Sequence, residues 1–496
     1  MVQALAPVFS RGCSRVWVLI ALLAGMSSGV ASAQAPAGKA AAPPAKGAAP
    51  KAEPADPDDE VPLLDPSQGK KRESAELFKD PRAEKALPNT FKEYPYPSPR
   101  LNANDLTLIR TMASGAAGLD RAVILRFVDT MIADFSNHTN IKAVFDPPKD
   151  QRPNAEAVRA IERASQSIIE FLNVARAAKN DAFLAVYVPV LNSRLPLLLD
   201  NHLLPRIQAS ILLAQVAGPT SIDIFIKQIA DPNQVVWVKH WSAQALTRAT
   251  GGGKVILDVP KSTAAAAAIL GFLEKEPDAP WPVKVRMLEA LGSLRLPATG
   301  GPGGKADVPA LALRYVSDPK AKVEVRAWAA WAIGMIPIPA STARYNYAIE
   351  LYQIGRLAAD LGEKIVAEAE QHEEKFPQEK DSAQYLAGLF LYQVYPALAG
   401  DDDVRNSGLL KAPNLGNAQA FAKGLDDQLK GLGRACIDLL NSGGAGVKAQ
   451  RAALSGKVAE LNSFLEKNRP TDVDLYPGGP KFPVAPPQVA GVPAAK

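Results

Sequence analysis

The sequence predicts an all-α fold: an α-α superhelix of stacked helical pairs, with helical regions capping both ends and disordered termini. Three observations carry that reading. From residue 101 to 469 apolar side chains recur at three- and four-residue spacings, with no strand alternation. Clusters of Pro, Gly, Asp and Asn punctuate these stretches. Between 181 and 337 a helix, an Asp-Pro corner and a second helix recur.

The first 33 residues read as a signal peptide. Arg11 and Arg15 precede an apolar run from Val16 to Gly25, and Ala31-Ser32-Ala33 supplies a small-residue cleavage site, so cleavage is expected after Ala33. The run is short for a bilayer span, so no transmembrane segment is expected after cleavage and the chain is expected to be secreted or periplasmic. Removal of Arg11 and Arg15 takes the formal charge from +5 to +3. Residues 34–100 form an Ala/Pro-rich leader, expected to be disordered, whose Tyr94-Pro-Tyr-Pro-Ser-Pro99 stretch is extended and docks locally at most.

The 496 residues allow two or three domains at ~100–200 residues each. With 56 Lys and Arg against 51 Asp and Glu there is no basic stripe to neutralise a phosphate backbone, which excludes nucleic acid as an expected partner. Loss of Cys13 with the signal leaves Cys436 alone, so packing rather than an internal disulfide must stabilise the fold. Cys436 sits in a helical pattern and reads as a small buried apolar residue.

Residues 101–180 are expected to form an N-terminal helical cap, with helices at about 104–117, 119–135 and 154–177. The repeats occupy 181–337, with helices at about 181–199, 203–217, 219–230, 235–249, 262–275, 282–295, 307–316 and 322–336. Pro205-Arg206, Val238-Lys239, Val283-Lys284 and Val325-Arg326 each open a second helix, 33, 45 and 42 residues apart. Small or apolar residues follow at fixed offsets from each base, such as Ala245/Leu246, Ala290/Leu291 and Ala332/Ile333. A first helix cannot bury its apolar face alone, so neighbouring pairs stack and share one core. The base is expected to cap or bridge the Asp-Pro corner of a neighbour.

Val325-Arg-Ala-Trp-Ala-Ala-Trp-Ala-Ile-Gly334 and Val283-Lys-Val-Arg-Met-Leu-Glu-Ala-Leu-Gly292 carry a pattern of V-R-x-x-A-A-x-A-L-G type after an Asp-Pro turn, while the unit at Val238 lacks the glycine. Over residues 181–337 the chain resembles the HEAT-repeat (armadillo-like) family of helical solenoids, and the resemblance implies that the second helices line a concave, partner-binding surface. After Pro337 the pattern changes. Helices at about 344–372, 380–398, 417–441 and 447–468 suit a C-terminal helical bundle over 338–469, followed by a disordered Pro-rich tail at 470–496.

Catalytic and metal motifs are not recognisable. Gly300-Gly-Pro-Gly-Gly-Lys305 has Thr299 and Ala306 where a phosphate loop needs Gly and Ser or Thr, and Gly251-Gly-Gly-Lys254 fails likewise, so both read as connecting loops. His138, His202, His240 and His372 are far apart and read as surface or capping residues. Asp401-Asp-Asp403 reads as a turn, since Arg405 occupies the next ligand position, and Asn137-His-Thr139 is a formal glycosylation acceptor. No cofactor or metal is expected. What rises above this background is tryptophan. Trp241 and Trp328 stand two residues after Lys239 and Arg326, at the edge of the core, with Trp237 and Trp331 on the same helical sides, so these four rings either fill gaps between stacked repeats or form the candidate binding surface. The expected function is an exported, non-enzymatic scaffold that binds another protein. A glycan or cell-wall binding module using the tryptophans is the alternative, and an α/α-type lyase or hydrolase is the third reading.

Overall fold

The computed structural model describes residues 80, 82, 91–96, 101–145, 155–300, 305–340, 342, 344–373, 375–376, 378–444, 446–482 and 484. The signal peptide, residues 34–79 of the leader and residues 485–496 lie outside the described residues. One compact unit holds Asp80–Ala143 together with the chain from Pro148 onward. It is all-α and solenoid-like, with no strand among the described residues and a single isolated bridge, Asp474 with Lys481.

Four helices, α1 (Ala103–Ala113), α2 (Arg121–Ser136), α4 (Ala155–Ala177) and α5 (Asp181–Arg194), pack together at the N-terminal end; the short α3 (His138–Phe145) lies between α2 and α4 in sequence. Their starts are written in the sequence. Asn102 and Asp105 form a capping box, and the Asp120 and Asn180 side chains accept first-turn N–H groups. Asn180 also donates to the carbonyls of Met112 and Ala113, tying the end of α1 to the start of α5. Phe127, Phe171, Phe183 and Tyr187 fill the centre, with Phe127 edge-on to Phe171 at 5.1 Å.

The helical pairs follow in two rows. The second helices α6 (Leu203–Gln215), α8 (Val236–Ala249), α10 (Trp281–Leu294) and α12 (Val323–Met335) pack side by side. The first helices α7 (Ile222–Ala230), α9 (Val259–Lys275) and α11 (Asp307–Ser317) form the other row. At the corners the Asp231 and Asp318 carboxylates accept the N–H groups of Asn233 and Lys320, which turns the chain. Small residues let the second row close up. Ala243, Ala245, Ala290, Ala327, Ala329, Ala330 and Ala332 are all buried.

The terminal glycine of the repeat pattern has a steric reason. A Cβ on Gly292 would lie 2.8 Å from the Ala332 Cα, and one on Gly334 would lie 2.4 Å from the Ala397 Cα, so each glycine marks a close crossing with the next helix of the row. The stacking therefore runs past Pro337. Helix α13 (Tyr347–Gln371) packs on α11, and the π-helical turn Phe390–Val394 with α15 (Tyr395–Ala399) packs on α12. Helix α14 (Asp381–Leu389) leads into that turn. Helices α16 (Gln419–Asn441) and α17 (Gly446–Lys467) complete the C-terminal end against α13, where Gly355 and Gly362 accommodate Leu465 and Val458 of α17.

The C-terminal segment differs from expectation. The sequence reading leaves 470–496 as a disordered tail, yet Leu475 and Phe482 are buried, and Leu475 accepts the Asn346 N–H at 2.8 Å. Two isolated apolar side chains in a Pro-rich stretch suffice to dock it. Parts of the leader dock as well. Lys92 exchanges backbone bonds with the Asn201 side chain, the Tyr94 hydroxyl donates to Asp129 at 2.6 Å, and Arg194 lies over the Tyr96 ring at 3.7 Å.

Candidate binding surfaces

The four repeat bases are spent on the corners. Arg206 donates to the Asn201 carbonyl and to Gln234, and Lys284 donates to the Pro277 carbonyl of its own corner. Arg326 donates to the Val316 carbonyl at the end of α11, and at 2.9 Å to Asp360 of α13. A cation at a helix C-terminus meets unpaired carbonyls and the negative end of the dipole, so this placement follows from helix chemistry.

Lys239 is the most enclosed base, 2% exposed, and its ammonium reaches Glu276 at 3.2 Å just past the end of α9. Glu276 also receives the leader. Both terminal nitrogens of Arg82 bond its two oxygens, at 2.8 and 2.9 Å. Asp80 accepts the Arg82 Nε at 2.9 Å and, at 2.7 Å, the Val236 N–H at the start of α8. Burial alone would raise the Glu276 pKa, but the Arg82 fork and Lys239 hold it below the usual carboxylate range. Burial lowers the Lys239 pKa despite Glu276.

The four tryptophans fall into two groups. Trp237, His240 and Trp241 cluster on α8, with ring centroids 5.7 and 5.4 Å apart. Trp241 is only 7% exposed. Trp328 and Trp331 meet edge-to-face at 5.4 Å on α12, both half-buried. Between them, α10 carries Arg286 at the offset of Trp241 and Trp328, and Arg286 pairs with Glu289 at 2.6 Å. No continuous strip joins the two groups among the described residues. His240 is half-buried with its Nδ1 enclosed, and burial and the nearby Arg286 push its imidazole down to about 3 and keep it neutral.

Sequence reasoning missed two exposed rings on the segment that follows α13. Tyr392 and Tyr385 are 69% and 51% exposed, the most exposed aromatics among the described residues, and the Tyr385 hydroxyl donates to Glu324, one turn before Trp328, at 3.2 Å. The available signal was their seven-residue spacing, which places both on one helical side. Tyr385 thus reaches Glu324 one turn before the Trp328–Trp331 pair, while the Trp331 ring packs over Gly292 of α10.

The other sequence-flagged residues have structural partners. His202 caps α6, His372 lies 2.9 Å from Glu379, and His138 packs on Phe91. Asn137 accepts the Thr139 N–H at the start of α3. Asp403 pairs with Lys254 of the glycine turn at 2.6 Å, and Asp401 bonds its own loop through Ser407. The loop at 300–305 is described only at its ends. Cys436 is fully buried, and burial pushes its thiol up to about 12.

A cavity of about 360 Å³ lies between the end of α12 and residues 406–413, lined by Ile336, Ile338, Tyr347, Leu409 and Lys411 among others. Behind Tyr347, Glu350 is fully buried and receives a hydrogen bond from the Tyr345 hydroxyl. Its Oε2 and the Tyr347 hydroxyl have no hydrogen-bond partner among the described residues. Burial pushes the Glu350 carboxyl up to about 8, so it is largely protonated at neutral pH. Glu350 is not among the residues that line the cavity.

These features define an all-α, solenoid-like stack with an aromatic face on its second-helix row. No helix among the described residues is long and apolar enough to cross a membrane. No family model matches the chain, and neither does any curated protein or solved structure.

Proposed function

We propose that this chain is an exported, non-enzymatic scaffold of the HEAT-repeat kind that binds another protein through the second-helix face around Trp328. The observation that carries the reading is the exposed Tyr385, bonded to Glu324 one turn before the half-buried Trp328–Trp331 pair, with the exposed Tyr392 seven residues further along the chain. Aromatic rings with a carboxylate among them match the anchors and polar partners of protein interfaces. A glycan favours a run of flat rings for stacking, and here the Arg286–Glu289 pair and the burial of Trp241 interrupt such a run. The close helix crossings at Gly292 and Gly334 hold the face rigid, which reduces the ordering cost of association.

The test is photo-crosslinking from position 392 in the native envelope fraction, with the captured protein purified and titrated. Trp328→Ala and Tyr392→Ala should each weaken that binding at least tenfold. Saturable binding of isolated envelope polysaccharide, lost in the same variants, would overturn the protein reading in favour of the glycan one. A mature protein beginning at Met1 by N-terminal sequencing would overturn export.

A further inference from the structure

Of the four repeat bases, Lys239 has an acidic partner that also serves a distant part of the chain. Arg326 pairs with Asp360 of α13, close in the stack, and Lys284 bonds a carbonyl of its own corner. Glu276, by contrast, holds Lys239 on one side and the Arg82 guanidinium on the other, across 194 residues. Helix α8 begins at Val236 without a side-chain cap from its own N-cap residue, Val235. Its first N–H is satisfied by Asp80, which is 4% exposed. The corner thus presents a donor for a carboxylate and, two residues further along the bound segment, a carboxylate for a guanidinium. Order matters in such a site, because the N-terminus of α8 favours the acid and Glu276 favours the base.

We propose that the corner built from Val236, Lys239 and Glu276 is a recognition site for a short peptide carrying an acidic residue two positions before an arginine, and that Asp80 and Arg82 of the leader occupy it in cis. The inference rests on the protein-binding reading but concerns a second site. The bound leader is the observed pattern for the ligand, a short segment, helical at Arg82 with Asp80 accepting the Arg82 N–H, held by one carboxylate and one guanidinium. A partner peptide with the same pair competes with the leader, so binding is coupled to leader release, and its apparent affinity is reduced by the fraction of molecules that are closed.

The test uses the full-length chain with Asp80→Asn and Arg82→Gln together, titrated with a fluorescein-labelled peptide of the sequence of residues 76–84. The opened chain should bind this peptide at least tenfold more tightly than the wild type. Adding Glu276→Gln should abolish that gain, and a peptide with the Asp and Arg exchanged should bind the opened chain at least tenfold more weakly. Binding to the opened chain no tighter than to the wild type, with helical dichroism unchanged, overturns the proposal. If the opened chain fails to fold, hydrogen exchange on the wild type decides. Excess peptide must speed exchange of the Arg82 amide, which donates to Asp80 in the closed state, and unchanged exchange overturns the proposal. Trp328→Ala should leave peptide binding intact, so failure here and failure of the aromatic face are read from different variants.

Discussion

Gly334 crosses Ala397 so closely that a Cβ on the glycine would lie 2.4 Å from both the Cα and the carbonyl oxygen of Ala397. Backbone cannot swing aside as a side chain can, so Gly334→Ala must force the two helices apart. Such overpacking costs ~1–3 kcal/mol and more where backbone is the obstacle. Gly271, in the interior of α9, is the control, because a Cβ there meets nothing within 4 Å. Gly271→Ala should stabilise by ~0.5–1 kcal/mol through helix propensity. Urea unfolding of both variants checks this, and a Gly334→Ala protein as stable as wild type would remove the close crossing.

The tryptophans give a second contrast. Trp241 is 7% exposed, whereas Trp328 is half-buried against Trp331. Trp241→Ala should cost ~3–5 kcal/mol, as for other packed aromatics, and Trp328→Ala under ~2 kcal/mol. Tyr392→Ala should fall within ~0.5 kcal/mol of wild type. Denaturant midpoints rank the three. A Trp328→Ala cost equal to that of Trp241→Ala would return Trp328 to the core.

Most helices were legible because each combines a periodic apolar side with a local start or stop signal. The expected helices at 235–249 and 447–468 lie within one residue of α8 and α17 at each end. What was not legible depends on contacts remote in sequence. Asp80 and Arg82 look like any acid and base in a polar leader, and only the spatial position of Val236 and Glu276 gives them a role. Leu475 and Phe482 are likewise too few to form a periodic signal. Trp241 and Trp328 share an offset, but what covers each ring depends on its neighbours, and that is tertiary information.

His240 predicts an acid-side effect. Its folded pKa is pushed down to about 3, against an ordinary value near 6.5, by burial and Arg286. The unfolded state therefore binds a proton that the folded state refuses between those values, and the resulting stability, present above pH ~6.5, is lost as pH falls towards 3. His240→Gln should flatten that part of the profile. The loss is on the order of a few kcal/mol at pH 4, measured as the difference between wild type and variant. An identical pH dependence in the two proteins would show that His240 is charged in the folded state.

Glu350 acts in the opposite direction and over a higher range. Its folded pKa is raised to about 8 by burial, with only the Tyr345 hydroxyl working against the shift, while an unfolded Glu titrates near 4.5. Folded protein keeps this proton where unfolded chain has released it. The stability linked to the proton is complete below pH ~4.5 and is lost as pH rises through 8, by about 1.4 kcal/mol per pH unit at the steepest. Glu350→Gln mimics the protonated form in shape and neutrality. The variant should equal or fall slightly below wild type at pH 5 and exceed it at pH 8.5 by on the order of a few kcal/mol. Because Asn346, next to Tyr345, bonds the carbonyls of Asp472, Asp474 and Leu475, hydrogen exchange at the Leu475 amide should rise with pH in wild type beyond the intrinsic base-catalysed trend, and should follow that trend in the variant. A wild-type advantage that grows towards pH 8.5 would mean that Glu350 is ionised in the folded protein and finds a compensating partner.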